Sequence, residues 1–274
     1  MPRIASCQLA LNVTSPGDCA LAATAAIHEA ITNGAEIIVL PELSNSGYLF
    51  ESADEVRASA TTLGGNLIAS WINLAHENSV VIVAGVNLCE EGKFWNASVI
   101  IDETGLRGWY AKAHLFGDEP LYFVAGDSAP LVVKTSKGTI ATMVCYDIEF
   151  PEWVRLAMLS GAQLLALPTN WPWIGQTPTT PPMEVVRVQA AASQNKLVIA
   201  AADRSGTERG QSWVGGSVIT TDEGVIAALA TSVEGESTQI VYADVNLPTD
   251  TAITAKNDAR KDRRPSLYSP ILSQ

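Results

Sequence analysis

Glu36-Ile37-Ile38-Val39-Leu40-Pro41-Glu42 is a compact apolar run closed by a proline and an acid, and it reads as a short strand. Upstream of it, residues 18–33 carry an Ala-rich helical pattern opened by Asp18, and residues 3–11 alternate like a strand. Downstream, a helical stretch over 65–78 leads into Val80-Val81-Ile82-Val83-Ala84. The order is β-α-β-α-β, which places the chain in the α/β class. Residues 94–101 and 106–111 form a hairpin around Asp102-Glu103-Thr104-Gly105, and 130–135 with 139–144 form another around Ser136-Lys137-Gly138. Helix and strand then alternate through 151–160, 163–167, 182–195 and 197–202, and three late strands follow near 213–220, 224–230 and 237–244. No linker, low-complexity segment or solenoid repeat interrupts this order. One domain over 1–247 is the simplest account, with 248–274, rich in Pro, Asp and Arg, as an extension that is disordered or packs on something.

The chain has 274 residues, of which 47% are hydrophobic, enough for one large core. Its longest apolar runs, such as 163–168, fall far short of the roughly 20 residues that cross a bilayer, so no membrane is expected. Met1-Pro2-Arg3-Ile4 passes straight into a strand pattern without a signal region, so the expected location is cytoplasmic. A net charge of −12 would repel a phosphate backbone, and nucleic acid is excluded as a partner. Cys7, Cys19, Cys89 and Cys145 are scattered, which argues against structural disulfides and zinc knuckles.

Three motifs place a reactive side chain just after an apolar strand: Ile37-Ile38-Val39-Leu40-Pro41-Glu42, Gly108-Trp109-Tyr110-Ala111-Lys112 and Ala141-Thr142-Met143-Val144-Cys145. In open α/β sheets, sites form beyond the carboxyl ends of strands, so a carboxylate, an ammonium and a thiol delivered there can meet. Amide hydrolysis needs a nucleophile, a proton shuttle and positive charge where the carbonyl oxygen becomes an oxyanion. Cys145 fits the first role, Glu42 the second and Lys112 the third. Lys112 can also depress the thiol pKa. The backbone N–H of Tyr146, after the nucleophile, is a candidate second oxyanion donor.

The chain resembles the nitrilase superfamily of carbon-nitrogen hydrolases, in its aliphatic amidase and omega-amidase-like branches. The resemblance rests on Pro41-Glu42-Leu43-Ser44-Asn45-Ser46-Gly47-Tyr48, on Tyr110-Ala111-Lys112-Ala113-His114-Leu115-Phe116, and on Cys145-Tyr146-Asp147-Ile148-Glu149-Phe150-Pro151-Glu152. Further similarity lies in Leu167-Pro168-Thr169-Asn170-Trp171, in Trp213-Val214-Gly215-Gly216-Ser217 and in the Arg263-Arg264-Pro265 tail. It implies a Glu-Lys-Cys triad with a further active-site glutamate at Glu119, a four-layer α-β-β-α sandwich, and a homodimer or higher homo-oligomer strapped by the tail. It implies a small-molecule amide substrate and neither metal nor organic cofactor.

Against these readings stand blander ones. Cys7, Cys19 and Cys89 read as small buried hydrophobes. His28, His76 and His114 show no metal-ligand or Ser-His-Asp spacing, and Gly215-Gly216 forms no phosphate loop. On the substrate side, Tyr146 occupies the position where true nitrilases of the superfamily carry Trp, which favours amides over nitriles. Glu149 stands where many carbamoylases and omega-amidases place Arg, which favours a neutral or amino-bearing amide over a dicarboxylic monoamide. Tyr48, Trp171 and Trp173 are candidate apolar walls, and Asn170 joins them as a substrate-binding candidate. The alternatives are an N-carbamoyl amidohydrolase, a nitrilase, an acyltransferase, or a catalytically silent scaffold of the same fold.

Overall fold

The computed structural model describes residues 1–175, 180–231 and 238–273. The first half runs β1 (Arg3–Ala10), α1 (Pro16–Thr32), β2 (Ile37–Val39), α2 (Ala53–Ser59), α3 (Asn66–Asn78), β3 (Val81–Glu90), β4 (Lys93–Asp102) and β5 (Gly105–Ala111). The second runs β6 (Leu131–Thr135), β7 (Gly138–Thr142), α4 (Pro151–Leu159), β8 (Leu164–Pro168), α5 (Met183–Asn195) and β9 (Val198–Ala202). Short strands follow: β10 (Arg204–Ser205), β11 (Thr207–Glu208), β12 (Gln211–Ser212), β13 (Val218–Thr220), β14 (Ile226–Leu229) and β15 (Gln239–Asp244).

These strands make two sheets. One has the order β10-β1-β2-β3-β4-β5 with β15 also on β1, and the other β14-β13-β9-β8-β7-β6. The centre of each is parallel, β1-β2-β3 and β7-β8-β9; β10 adds to β1 in parallel, and the other flanking strands are antiparallel. Because side chains alternate across a strand, each central strand serves two interfaces. Ile37 and Val39 of β2 join Val81 and Val83 of β3 against Ile140, Leu164, Ala166, Val198 and Ala200 of the facing sheet. Ile38 and Ile82 point the other way, onto Ala23 and Ile27 of α1 and Ile68 and Trp71 of α3. Val154 and Met158 of α4 with Val185 and Val188 of α5 cover the outer face of the second sheet. The result is the four-layer α-β-β-α sandwich.

Differences from the sequence reading have local causes. β3 runs six residues past Ala84, because β4 pairs with it from Ile82↔Ile101 to Glu90↔Lys93 through a tight turn. Glu91 and Gly92 both take positive φ there, the geometry of a two-residue hairpin loop. The strand expected over 213–220 is regular only at Val218–Thr220. Before it, Gly215 has φ +67°, and a Cβ on Gly216 would sit 3.4 Å from the Trp171 ring. α2 was missed; it is short and capped by Ser52, whose hydroxyl accepts from the Glu55 N–H at 3.3 Å. Residue 237, where the last expected strand begins, and residue 274 lie outside the described residues.

The 248–273 extension is ordered on the surface. Gln163 donates to the Pro248 carbonyl at 2.7 Å, and Arg155 to that of Ala259 at 3.4 Å, so the tail lies along α4. Among the described residues, no helix is long and apolar enough to cross a membrane.

Candidate active site

β2, β5 and β7 end at one edge of the sandwich, and the residues that follow them converge there. Proline at 41 ends β2 and delivers Glu42 into the interior, where it is fully buried. Close packing fixes it: a Cβ on Gly85 of β3 would sit 2.5 Å from the Glu42 Cα. Asn170, just beyond β8, donates its side-chain N–H to the Glu42 carbonyl at 3.0 Å, tying one sheet to the other.

Lys112, also fully buried, follows β5 and donates to Glu42 Oε1 and to Glu119 Oε1, each at 2.7 Å. Glu42 Oε1 accepts a further hydrogen bond from Asn96 of β4 at 2.6 Å, while Glu42 Oε2 is buried without a partner. Glu119 also accepts from the Tyr48 hydroxyl at 2.6 Å and from the Phe116 N–H at 3.1 Å. Burial opposes charge on Lys112, but the two carboxylates outweigh it and hold the ammonium above its usual range. Burial likewise pushes the Glu42 carboxyl up, with Lys112 pulling it back and Glu119 pushing it further.

Cys145 opens a 3-10 turn over Cys145–Glu149, and its φ of 46° is a left-handed conformation rare outside glycine. Strain of this kind, worth about 1–3 kcal/mol, persists only when the surroundings enforce it. Asp147 supplies that enforcement. Its carboxylate accepts from the Val144 N–H at 3.0 Å, the Tyr110 hydroxyl at 2.8 Å and the His114 N–H at 3.0 Å, and lies 2.7 Å from His114 Nδ1. One side chain thus locks the thiol turn to the segment that carries Lys112. The thiol lies 3.7 Å from the Asn170 carbonyl oxygen, to which it donates. Burial pushes its pKa well up, Glu42 adds to that, and Lys112 only partly opposes it. Lys112 thus lowers the thiol pKa as expected, but burial and Glu42 outweigh it.

Next to Glu119 and Tyr48 opens a cavity of about 210 Å³, walled by Phe50, Phe116, Tyr122, Phe123, Ile174 and Trp213. Asp118 and Glu119 are its only charged lining side chains among the described residues. Tyr146 packs edge-on against Phe116, with ring centroids 5.2 Å apart.

Of the expected substrate contacts, Tyr48 lines this cavity, whereas Tyr146, Glu149, Asn170, Trp171 and Trp173 do not. Glu149 turns away, 3.0 Å from Arg187, and shares a different depression with it. Trp171 is packed into the core of the second sheet, and Trp173 is likewise absent from the cavity wall, which takes Pro172 and Ile174 from the same loop. The sequence reading also missed Asn96, which donates to Glu42. A polar residue amid the apolar β4 pattern was the available signal for Asn96. Among the described residues, no group of three or more His, Cys, Asp or Glu side chains is arranged to hold a metal ion.

Residues 3–253 match the carbon-nitrogen hydrolase family. The chain belongs to that family. It is an amidase-type enzyme of the nitrilase superfamily, in the amidase and omega-amidase-like branch. Among its relatives in this family, a protein of Pyrococcus abyssi named nitrilase is 32% identical over 269 residues, covering 98% of this chain and 99% of its own. The 2-oxoglutaramate amidase of Bacillus subtilis is 31% identical and covers 85% of this chain and 87% of its own. Among solved family structures, an amidase variant from Nesterenkonia sp. AN1 in complex with butyramide superposes with TM-score 0.79 at 26% identity, covering 98% of this chain and 96% of that one.

Proposed function

We propose that the protein hydrolyses a small neutral or amino-bearing aliphatic amide to its acid and ammonia through a thioester on Cys145. The observation that carries this reading is the buried, unpartnered Oε2 of Glu42 in a cluster with Lys112 and Glu119 at the edge where Cys145 also lies. An unsatisfied buried carboxylate oxygen is costly, and a proton-accepting role accounts for it.

Glu42 takes the thiol proton as sulfur attacks the amide carbon. The carbonyl oxygen becomes an oxyanion, held by the Lys112 ammonium and the Tyr146 N–H near the start of the 3-10 turn. Glu42 then passes the proton to the departing nitrogen, and ammonia leaves a thioester. A water gives its proton to Glu42 and attacks the thioester, and the acid departs as the proton returns to sulfur. Glu119, shared between Lys112 and Tyr48, keeps the ammonium on the reacting carbonyl. In a glutamate-to-glutamine mutant of the Nesterenkonia amidase, the acetamide moiety of fluoroacetamide is added covalently at the active site cysteine, which supports a nucleophilic role for Cys145 here.

The cavity beside Glu119 supports the substrate class. Its volume of about 210 Å³ and its aromatic walls favour a small acyl group. No lysine, arginine or histidine among the described lining residues meets a second carboxylate, and burying one unpaired is costly. Dicarboxylic monoamides are therefore disfavoured by the cavity lining. The assembly is a homodimer or higher homo-oligomer, with the 248–274 extension at the subunit interface.

The test is ammonia release from neutral, amino-bearing and carboxyl-bearing aliphatic amides, matching nitriles and N-carbamoyl compounds, with Cys145→Ala alongside. Cleavage of neutral or amino-bearing amides, abolished in the variant, supports the reading. Preference for nitriles, N-carbamoyl compounds or dicarboxylic monoamides, or turnover by Cys145→Ala, rejects it.

A further inference from the structure

Beyond the reacting groups, one fully buried ion pair serves no step of the chemistry. Arg204, the first residue of β10, and Glu208 in β11 lie 3.0 Å apart, and neither side chain is exposed. They sit where the chain leaves β9 of the second sheet and pairs with Leu9 and Ala10 of β1 in the first. Buried pairs of this kind are weak sources of stability, so their retention asks for another reason.

The contacts of Glu208 supply one. Its Oε1 accepts from the Val13 N–H at 2.6 Å, and its Oε2 from the N–H groups of Tyr48 at 3.1 Å and Leu49 at 2.8 Å. Three backbone donors from two separate segments thus converge on one carboxylate, with the Arg204 guanidinium as counter-charge. Arg204 in turn donates to the Leu11 carbonyl and lies 4.4 Å from the centroid of the Trp213 ring, which meets the Tyr48 ring edge-on at 5.3 Å. Tyr48 is gripped twice: through its backbone by Glu208 and through its ring by Trp213, which Arg204 backs. Gly47 makes the approach feasible. Its φ is +80°, and a Cβ there would fall 2.5 Å from Glu208 Oε1 and 2.4 Å from the Val13 nitrogen.

What this clamp holds is the hydroxyl of Tyr48, 2.6 Å from Glu119 Oε1, the same oxygen that accepts from Lys112 at 2.7 Å. We infer that the Arg204–Glu208 pair is a positioning device for catalysis, fixing Tyr48 so that its hydroxyl holds Glu119, and through Glu119 the Lys112 ammonium, on the reacting carbonyl. The inference rests on the proposed amidase chemistry, and its signature is energetic coupling: Glu208 acts on turnover only through the Tyr48 hydroxyl.

The experiment is a double-mutant cycle on kcat and KM for an amide cleaved by the wild type, using Glu208→Gln, Tyr48→Phe and the double variant. Glu208→Gln keeps the shape but points an amide N–H₂ at backbone donors. The expected result is a loss of tenfold or more in kcat for each single variant, with KM changed less, and less than twofold further loss when Glu208→Gln is added to Tyr48→Phe. Since removing one partner strands the other charge, Gly47→Ala is measured in the same two backgrounds as a second way of displacing the clamp. It decides the matter if Glu208→Gln does not fold. Losses that multiply in both backgrounds, or a folded variant within twofold of wild type, overturn the inference. Alkylation of Cys145 by iodoacetamide, followed in every variant, reads the charge cluster without turnover. Coupled alkylation rates in a wild type that releases no ammonia reject the amidase reading and keep the clamp. Uncoupled rates in an active enzyme do the reverse.

Discussion

Lys112 is the residue on which the site depends, because its ammonium lies between two buried carboxylates, at 2.7 Å from each. Removing one member of a buried ionic cluster leaves the others uncompensated, so Lys112→Met should lower unfolding free energy by about 3–5 kcal/mol, read by denaturant titration. Asp203 makes a second prediction. It accepts from the N–H groups of Trp171, Arg204 and Gly216, yet burial outweighs them and holds its carboxyl at about 7. The folded state thus binds this proton more tightly than the unfolded chain, so the stability it contributes is complete below about pH 4 and is lost as pH rises through about 7. At 1.36 kcal/mol per unit, the span is on the order of 4 kcal/mol. The pH dependence of unfolding free energy should therefore differ between wild type and Asp203→Asn by a fall of that order between pH 4 and 7; parallel curves would contradict it. Glu42, Lys112 and Cys145 were legible in the sequence because each directly follows an apolar strand. Glu149 was misread because its partner, Arg187, lies on a helix 38 positions away.

At the scale of elements, the site is made by close approach between strands and the loops they carry. Gly85 of β3 lies under the Pro41-Glu42 backbone, and a Cβ there would meet Pro41 O and Glu42 Cα at 2.5 Å. Backbone cannot swing aside as a side chain can. Gly85→Ala should cost about 1–3 kcal/mol through overpacking and lower kcat by displacing Glu42, measured by thermal unfolding and ammonia release together. A variant that loses stability but keeps kcat would place Glu42's positioning elsewhere. The regular elements were legible where hydrophobic period and length agreed, as in α1, α3 and the β4–β5 hairpin. They were not legible where pairing decided the matter: nothing in Val86 to Glu90 itself announces a strand, and β4 extends it by lying alongside. The β10–β12 strands, two residues each, carry no period at all, yet they hold Arg204 and Glu208.

Across the whole molecule, alternation alone reached only α/β, because which face of each sheet meets the other is a long-range property. The resemblance to carbon-nitrogen hydrolases supplied the layers. Outside the sandwich, α4 and the tail frame an apolar groove of about 710 Å³ lined by Trp153, Leu156, Leu159, Pro265, Tyr268 and Ile271. Leu156 is 38% and Ile271 55% exposed. If the extension packs at a subunit interface, light scattering should give a dimer or larger for wild type and a smaller species for Leu156→Asp/Ile271→Asp. A monomeric wild type would remove the interface. A thioester on Cys145 during amide cleavage is detected by acid-quenching the enzyme during turnover of a cleaved amide and locating the added mass. The expected result is an acyl adduct on the Cys145 peptide that forms and decays with ammonia release, with neither adduct nor ammonia from Cys145→Ala. Ammonia release without an adduct, undiminished in Cys145→Ala, would contradict it.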